Sequence, residues 1–213
     1  MPQHDSGPQS AFATPTPELL KLRSQPPRER ADAARNRAAV LDAAAVLFRE
    51  RGVEAVSMDA VAAAAGVGKG TLFRRFGDKA GLAVALLDEQ ERGLQEAVLF
   101  GPPPLGPGPA GAPPPVRDRL RAFVSAYLDY LFAHLDLVRL SETAAPGARY
   151  RIGAYRFWHR HVALLLAGRA DPAADAHTLL AALAAEHVCG VREELGDERL
   201  RAAVLALADV LTG

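Results

Sequence analysis

An all-α fold is the expectation, and three features of the sequence carry it. Alanine is used heavily while aromatics make up only 6% of the 213 residues, a bias that favours helix over strand. Val, Ile and Thr never gather into alternating runs, so no segment reads as sheet. Apolar residues instead recur at helical spacing from about Ala33 onward, in stretches that add up to nine helices.

The first helix is expected over Ala33–Arg51, with Val40, Leu41, Ala44, Leu47 and Phe48 on one face and Gly52 ending it. Ser57 caps the second, which has Asp59 in its first turn and stops at Gly66. A third short helix runs from about Gly68 to Phe76. Asp78 opens the fourth, to about residue 99, with Gly93 as a candidate bend. Residues 101–115 are Pro, Gly and Ala around one Leu, which no regular element survives; they read as a stiff surface loop.

Beyond the loop, Val116, Leu120, Phe123, Val124, Tyr127, Leu128 and Leu131 form a strong apolar stripe. Asp136 starts a short helix that ends before Pro146, and a longer one follows over 150–167. Asp171-Pro172 is a good start signal for a helix reaching about residue 193. Gly196-Asp197 separates it from the last, 198–211. The N-terminal 1–30, proline-punctuated and polar, read as a disordered arm.

Charge and cysteine content narrow the setting. Residues 1–79 carry 12 Lys/Arg against 9 Asp/Glu, and the rest of the chain carries 13 against 16, so a mildly basic head precedes a mildly acidic body. Cys189 is the single cysteine, which excludes an intrachain disulfide and fits a reducing, cytoplasmic setting. The first residues lack the basic start and apolar stretch of a signal peptide, and no apolar run approaches a bilayer span.

The stretch AAGVGKGTLFRRF, residues 64–76, is the most informative. Two short helices that cross steeply need a turn residue at ease in the left-handed region, here Gly66. They also need a small residue where they approach, Ala62, and an apolar anchor on the second helix, Leu72. With Val67 and Leu72 inward, Lys69, Thr71, Arg74 and Arg75 fall mainly on the outward arc. Such a helix fits a DNA major groove, where Arg and Lys reach guanine edges and Thr a thymine methyl. The same stretch does not make a phosphate loop of the form GxxxxGK[ST]: Gly70 follows Lys69, Ala63 stands at the first glycine position, and no strand precedes it.

Residues 33–82 resemble the DNA-binding domain of the TetR family of bacterial transcriptional regulators. The resemblance is carried by LFRERG, then SMDAVAAAAGV, then GKGTLFRRFGDKAGL, over about fifty contiguous residues. It implies a nine-helix TetR-like architecture, with a helix-turn-helix head over 31–82 and a ligand-binding and dimerisation domain over 83–213. It also implies a homodimeric repressor that binds a palindromic double-stranded operator and is released by a small-molecule effector. Position by position, Ser57 resembles a cap that also touches phosphate. Lys69, Gly70, Thr71, Phe73, Arg74 and Arg75 occupy recognition-helix positions, and Lys79 matches a phosphate-binding lysine. Phe73 stands where the family most often has tyrosine, and Arg74 and Arg75 replace residues that are often a neutral aromatic and a histidine.

In the C-terminal two-thirds, the Ala/Leu-rich helices over 172–193 and 197–211 are candidates for a four-helix dimer interface. Phe123, Tyr127, Trp158, His161 and His187 are candidates for lining an apolar ligand pocket. Metal binding is not expected: His159 and His161 lie about 200° apart around a helix, as do His187 and Cys189. No cofactor is implied. Two other classes stay in view, a cytoplasmic helical enzyme and a dimeric binding module that ignores DNA. Against the enzyme, there is no nucleophile elbow, HExxH or phosphate loop.

Overall fold

The computed structural model describes residues 28–110 and 112–213, with side chains from Asp32 onward. Among these residues it has nine α-helices and no strand: α1 (Arg28–Arg51), α2 (Met58–Ala64), α3 (Lys69–Phe76), α4 (Lys79–Phe100), α5 (Val116–Thr143), α6 (Ala148–Arg151), α7 (Gly153–Leu165), α8 (Pro172–Ala181) and α9 (Ala185–Thr212). The expected arm over 1–30 lies outside the described residues except for its last three, which open α1. No described helix is long and apolar enough to cross a membrane. The chain divides within α1, between Ala38 and Ala39, and all the packing below belongs to the unit beginning at Ala39.

Buried apolar residues in that unit form two clusters. The first joins Val40, Ala44, Leu47 and Phe48 of α1 to Val53 and Val56, Val61 and Ala62 of α2, Leu72 of α3 and Leu82 of α4. The second begins with Leu87 and Val98 of α4 and continues through α5, α7, α8 and α9. α4 therefore gives Leu82 and Leu86 to one core and its residues from Leu87 onward to the other, and it runs unbroken past Gly93. The loop after α4 is tied down by Leu105, which packs against the second core. Val116, expected on the buried stripe of α5, is instead exposed, because α5 enters the core only at Leu120.

Several helix boundaries differ from those expected. The segments 116–131 and 136–145 are one helix with a break at His134, whose backbone leaves the helical region (φ −130°, ψ 22°). The segment 150–167 is interrupted at Ile152, which is extended. The helix expected over 172–193 stops at Ala181 and restarts at Ala185, and the second half of α9 follows a break at Gly196, φ +71°.

The interruption between α8 and α9 has no glycine or proline behind it; its cause is tertiary. Arg149 of α6 and Glu142 of α5 form an ion pair with both side chains more than 90% buried. The guanidinium of Arg149 donates to the Leu180 carbonyl at 2.7 Å, and the Ala185 N–H donates to the Glu142 carboxylate at 2.9 Å. A helix break exposes an orphan carbonyl and an orphan N–H, and here a buried pair supplies a partner for each.

Candidate nucleic-acid interface

Ser57 is the N-cap of α2: its backbone is extended and its Oγ accepts from the Ala60 N–H at 3.2 Å. The hydroxyl proton remains available to another acceptor. Asp59 sits in the first turn, where the helix dipole favours a carboxylate. Val61 and Ala62 face the core, and the small Ala62 side chain lets α3 approach.

The turn after α2 closes as a Schellman motif. Gly66 has φ +65°, its N–H donates to the Ala63 carbonyl at 3.2 Å, and the Val67 N–H donates to Ala62 at 3.0 Å. The chain is thereby turned so that Gly68 caps α3, and its carbonyl accepts from Thr71 and Leu72. Leu72, 1% exposed, pins α3 into the first core.

At about 100° per residue, Lys69, Phe73, Gly70 and Arg74 then share the arc of α3 opposite Leu72 and its neighbours. All four are exposed, and Phe73 shows 45% of its surface. Thr71, half-buried, and Arg75, exposed, lie one turn apart on the same flank of that arc, beyond Arg74. Lys69 forms an ion pair with the Asp59 carboxylate of α2, which ties the start of α3 to the helix before it. Among the described residues Arg74 makes no ion pair or hydrogen bond, so its guanidinium is left to solvent.

Lys79, in the first turn of α4, is half-buried. Its ammonium donates to the carbonyls of Val53 and Glu54 at 3.0 and 3.1 Å, which fastens the loop between α1 and α2. One N–H of the three is left over. Nothing in the sequence marks this clip, because the acceptors are backbone atoms 25 residues away. Arg139 of α5 reaches the same loop through the Glu54 carboxylate at 3.2 Å.

In the body, the structure brings together four of the five candidate pocket residues. Phe123, Tyr127 and Trp158 pack with centroids 5.8 Å apart, and His161 meets Phe123 edge-on at 5.2 Å. They fill their own space: the adjoining cavity, edged by Tyr127, Trp158 and Glu142, is about 20 Å³, room for one water. His187 does not join them; it is exposed on α9. The His161 Nε2 is buried with no hydrogen-bond partner, and burial, with the Arg119 charge nearby, brings its pKa down to about 4. His159 stacks not with His161 but with His177 of α8, centroids 3.9 Å apart, while the Tyr155 hydroxyl lies 2.6 Å from His177 Nδ1. Tyr130 donates to Glu91 at 2.9 Å; burial raises the Glu91 pKa, although this hydrogen bond pulls the other way.

Comparison with known proteins agrees with this geometry. Residues 40–86 match the family of bacterial regulatory proteins named for TetR. HTH-type transcriptional regulators of Staphylococcus aureus are 47% identical over 53 residues, a stretch that covers 25% of this chain and 29% of theirs. Over the longer span, a TetR-like transcriptional regulator from Rhodococcus aligns with a TM-score of 0.53 at 25% identity, covering 86% of this chain and 96% of that one. A TetR-family regulator from Streptomyces coelicolor aligns with a TM-score of 0.57 at 22% identity, covering 84% and 95%. Residues 40–86 therefore carry a head that matches the TetR family, and the chain behind it shares the all-α architecture of these regulators.

Proposed function

We propose that the chain is a transcriptional repressor that works in the cytoplasm, binds a palindromic DNA operator as a homodimer and is released by a small molecule. One observation carries the DNA-binding part. The Gly66 turn and the Leu72 anchor leave Lys69, Gly70, Phe73 and Arg74 facing outward together on α3. An eight-residue helix with such a face fits the major groove, where Arg74 is suited to the acceptor edge of guanine and Phe73 to a thymine methyl. Thr71 and Arg75 lie together along the Arg74 edge of that face. The Ser57 hydroxyl and the remaining N–H of Lys79 are suited to phosphates on either side, where they set register rather than sequence.

Two heads on one dimer would meet half-sites about 34 Å apart. The Ala- and Leu-rich α8 and α9 are the proposed dimer contact, with α4 joining each head to its body. A ligand acts only through different affinities for the DNA-competent and incompetent arrangements. Phe123, Tyr127, Trp158 and His161 would have to part to admit one, with the unpartnered His161 Nε2 offering it a hydrogen bond; His187, on the α9 surface, would join only from a partner chain.

The test is a titration of the purified chain against DNA flanking its own gene at several salt concentrations. A steep fall of affinity with salt is expected, since counterion release follows phosphate contacts. Salt-independent binding, or none, favours a helical enzyme or a binding module without DNA.

A further inference from the structure

We propose that the cleft where α1, α4 and the break in α5 meet is a binding site for a small apolar molecule that carries a carboxylate, and that its occupancy is transmitted to the DNA-binding head. The second half rests on the function proposed above; the first does not.

The cleft holds about 600 Å³, within the range of sites that enclose a drug-sized molecule. Phe48 and Val53 of the head form one side, Leu87 of α4 the floor, and Phe132, Leu135 and Leu137 of α5 the other side. Every residue from Phe132 to Leu137 lines it. A regular helix cannot do that, because it presents only every third or fourth residue to one face. The break at His134 makes it possible, turning the chain so that six consecutive residues edge one space. The cleft is thus built by the departure from helix, and it is open where the aromatic cluster of the body is full.

The charges around it balance, Arg49 and Arg192 against Asp136 and Asp197, but one cation among the lining residues is free to hold an anion. Arg49, in the last turn of α1, lines the cleft and makes no hydrogen bond or ion pair among the described residues. Arg192 is already engaged: its guanidinium holds Asp197 through two contacts of 2.6 and 2.8 Å and lies 4.9 Å from the centre of the Phe132 ring. Asp136, the one acid among the lining residues, lies within electrostatic reach of Arg192. His134 is uncharged at neutral pH, since burial lowers its pKa. What remains is an apolar chamber with one uncommitted guanidinium, which matches a carboxylate on an apolar body. Coupling follows from the walls. Leu137 packs against both hydrophobic cores, while Phe48 and Val53 belong to the head core alone. A molecule between them acts on their separation.

Decanoate, below its aggregation concentration, is the probe, with decanol and decyltrimethylammonium as neutral and cationic counterparts. Calorimetry on the full chain should show saturable decanoate binding, decanol weaker by about tenfold and the cation weaker still. Trp158 is the sole tryptophan and sits in the aromatic cluster, so its emission should stay unchanged. Arg49→Gln should bring decanoate down to the level of decanol without altering decanol. Ala133→Phe, at an exposed lining position, should weaken both while the melting temperature stays that of the unsubstituted chain. Absence of saturable binding, a shift in Trp158 emission, or an unaltered affinity in Ala133→Phe overturns the site. Saturating decanoate that leaves DNA affinity unchanged overturns the coupling alone. A chain that binds decanoate and no DNA overturns the proposed function and leaves the site standing.

Discussion

Two glycines, two residues apart, should respond to substitution with opposite sign. Gly66 has φ +65°, and a Cβ built there meets nothing within 4 Å, so Gly66→Ala is opposed by backbone conformation and not by a neighbour. Holding an L-residue in the left-handed region costs about 1–2 kcal/mol. Restriction of the unfolded chain gives back about 0.4–1 kcal/mol, which leaves a net loss of about 1 kcal/mol. Gly68 has φ −67° and ψ 139°, open to any residue, and it caps α3 with no side chain to accept an N–H. Gly68→Ser adds that acceptor and also restricts the unfolded chain, for a gain of about 0.5–1 kcal/mol. With a urea slope of about 2 kcal/mol/M, the midpoints followed by far-UV circular dichroism should move by roughly 0.5 M, down for the first and up for the second. A Gly66→Ala midpoint at or above that of the unsubstituted chain would refute the claim that α2 and α3 are joined through a left-handed residue.

Three further outcomes follow from the same geometry. Arg74→Ala should lower operator affinity and relax preference at one base pair, a discrimination worth about 1–3 kcal/mol, read by competition with single-base operator variants; unchanged affinity and specificity remove Arg74 from the contact. Arg149→Met leaves the Glu142 carboxylate buried without its cation and should cost about 3–5 kcal/mol at pH 7, with partial recovery when Glu142→Gln is added. A loss under about 1 kcal/mol would mean the pair is not what holds the α8–α9 break. For His161, the unfolded chain takes up its proton near pH 6.5 and the folded chain only near pH 4. The unfolded state thus binds more protons in that window, and about 3 kcal/mol of stability should be lost as pH falls through it. His161→Phe should remove that part of the slope, and an unaltered profile would mean that His161 is not buried as neutral imidazole.

The head was legible because its signals are local. Ser57, Ala62, Gly66, Leu72 and Asp78 each act within a few residues of their own backbone, as cap, close approach, turn or anchor, and the structure gives each that part. The body was legible as a helical assembly and less so in its boundaries. Gly196 announces its break, but Ile152 does not, and neither does the Ala181–Ala185 interruption, whose partners are a distant carboxylate and guanidinium. The same limit applies to sites. Helical spacing correctly places Phe123 beside Tyr127, yet it says nothing about whether space remains between them. The partner of His159, which is His177, and the carbonyls held by Lys79 depend on which helices become neighbours.

Those long-range contacts converge on one short loop. Val53 and Glu54 lie between α1 and the Ser57 cap, and they are held from α4 by Lys79 and from α5 by Arg139. Leu137 and Leu140 pack beside them on the head core, so α5 meets the head through the short stretch beyond His134. The backbone leaves the helical region at that residue, so α5 is already kinked there. α4, in contrast, is continuous from Leu82 in one core to Val98 in the other, so it transmits a tilt but does not absorb one. A continuous helix and a kinked one are thus fastened to the same loop. The cleft lies between them, which is why the decanoate titration has to be read at the DNA end as well as at the site.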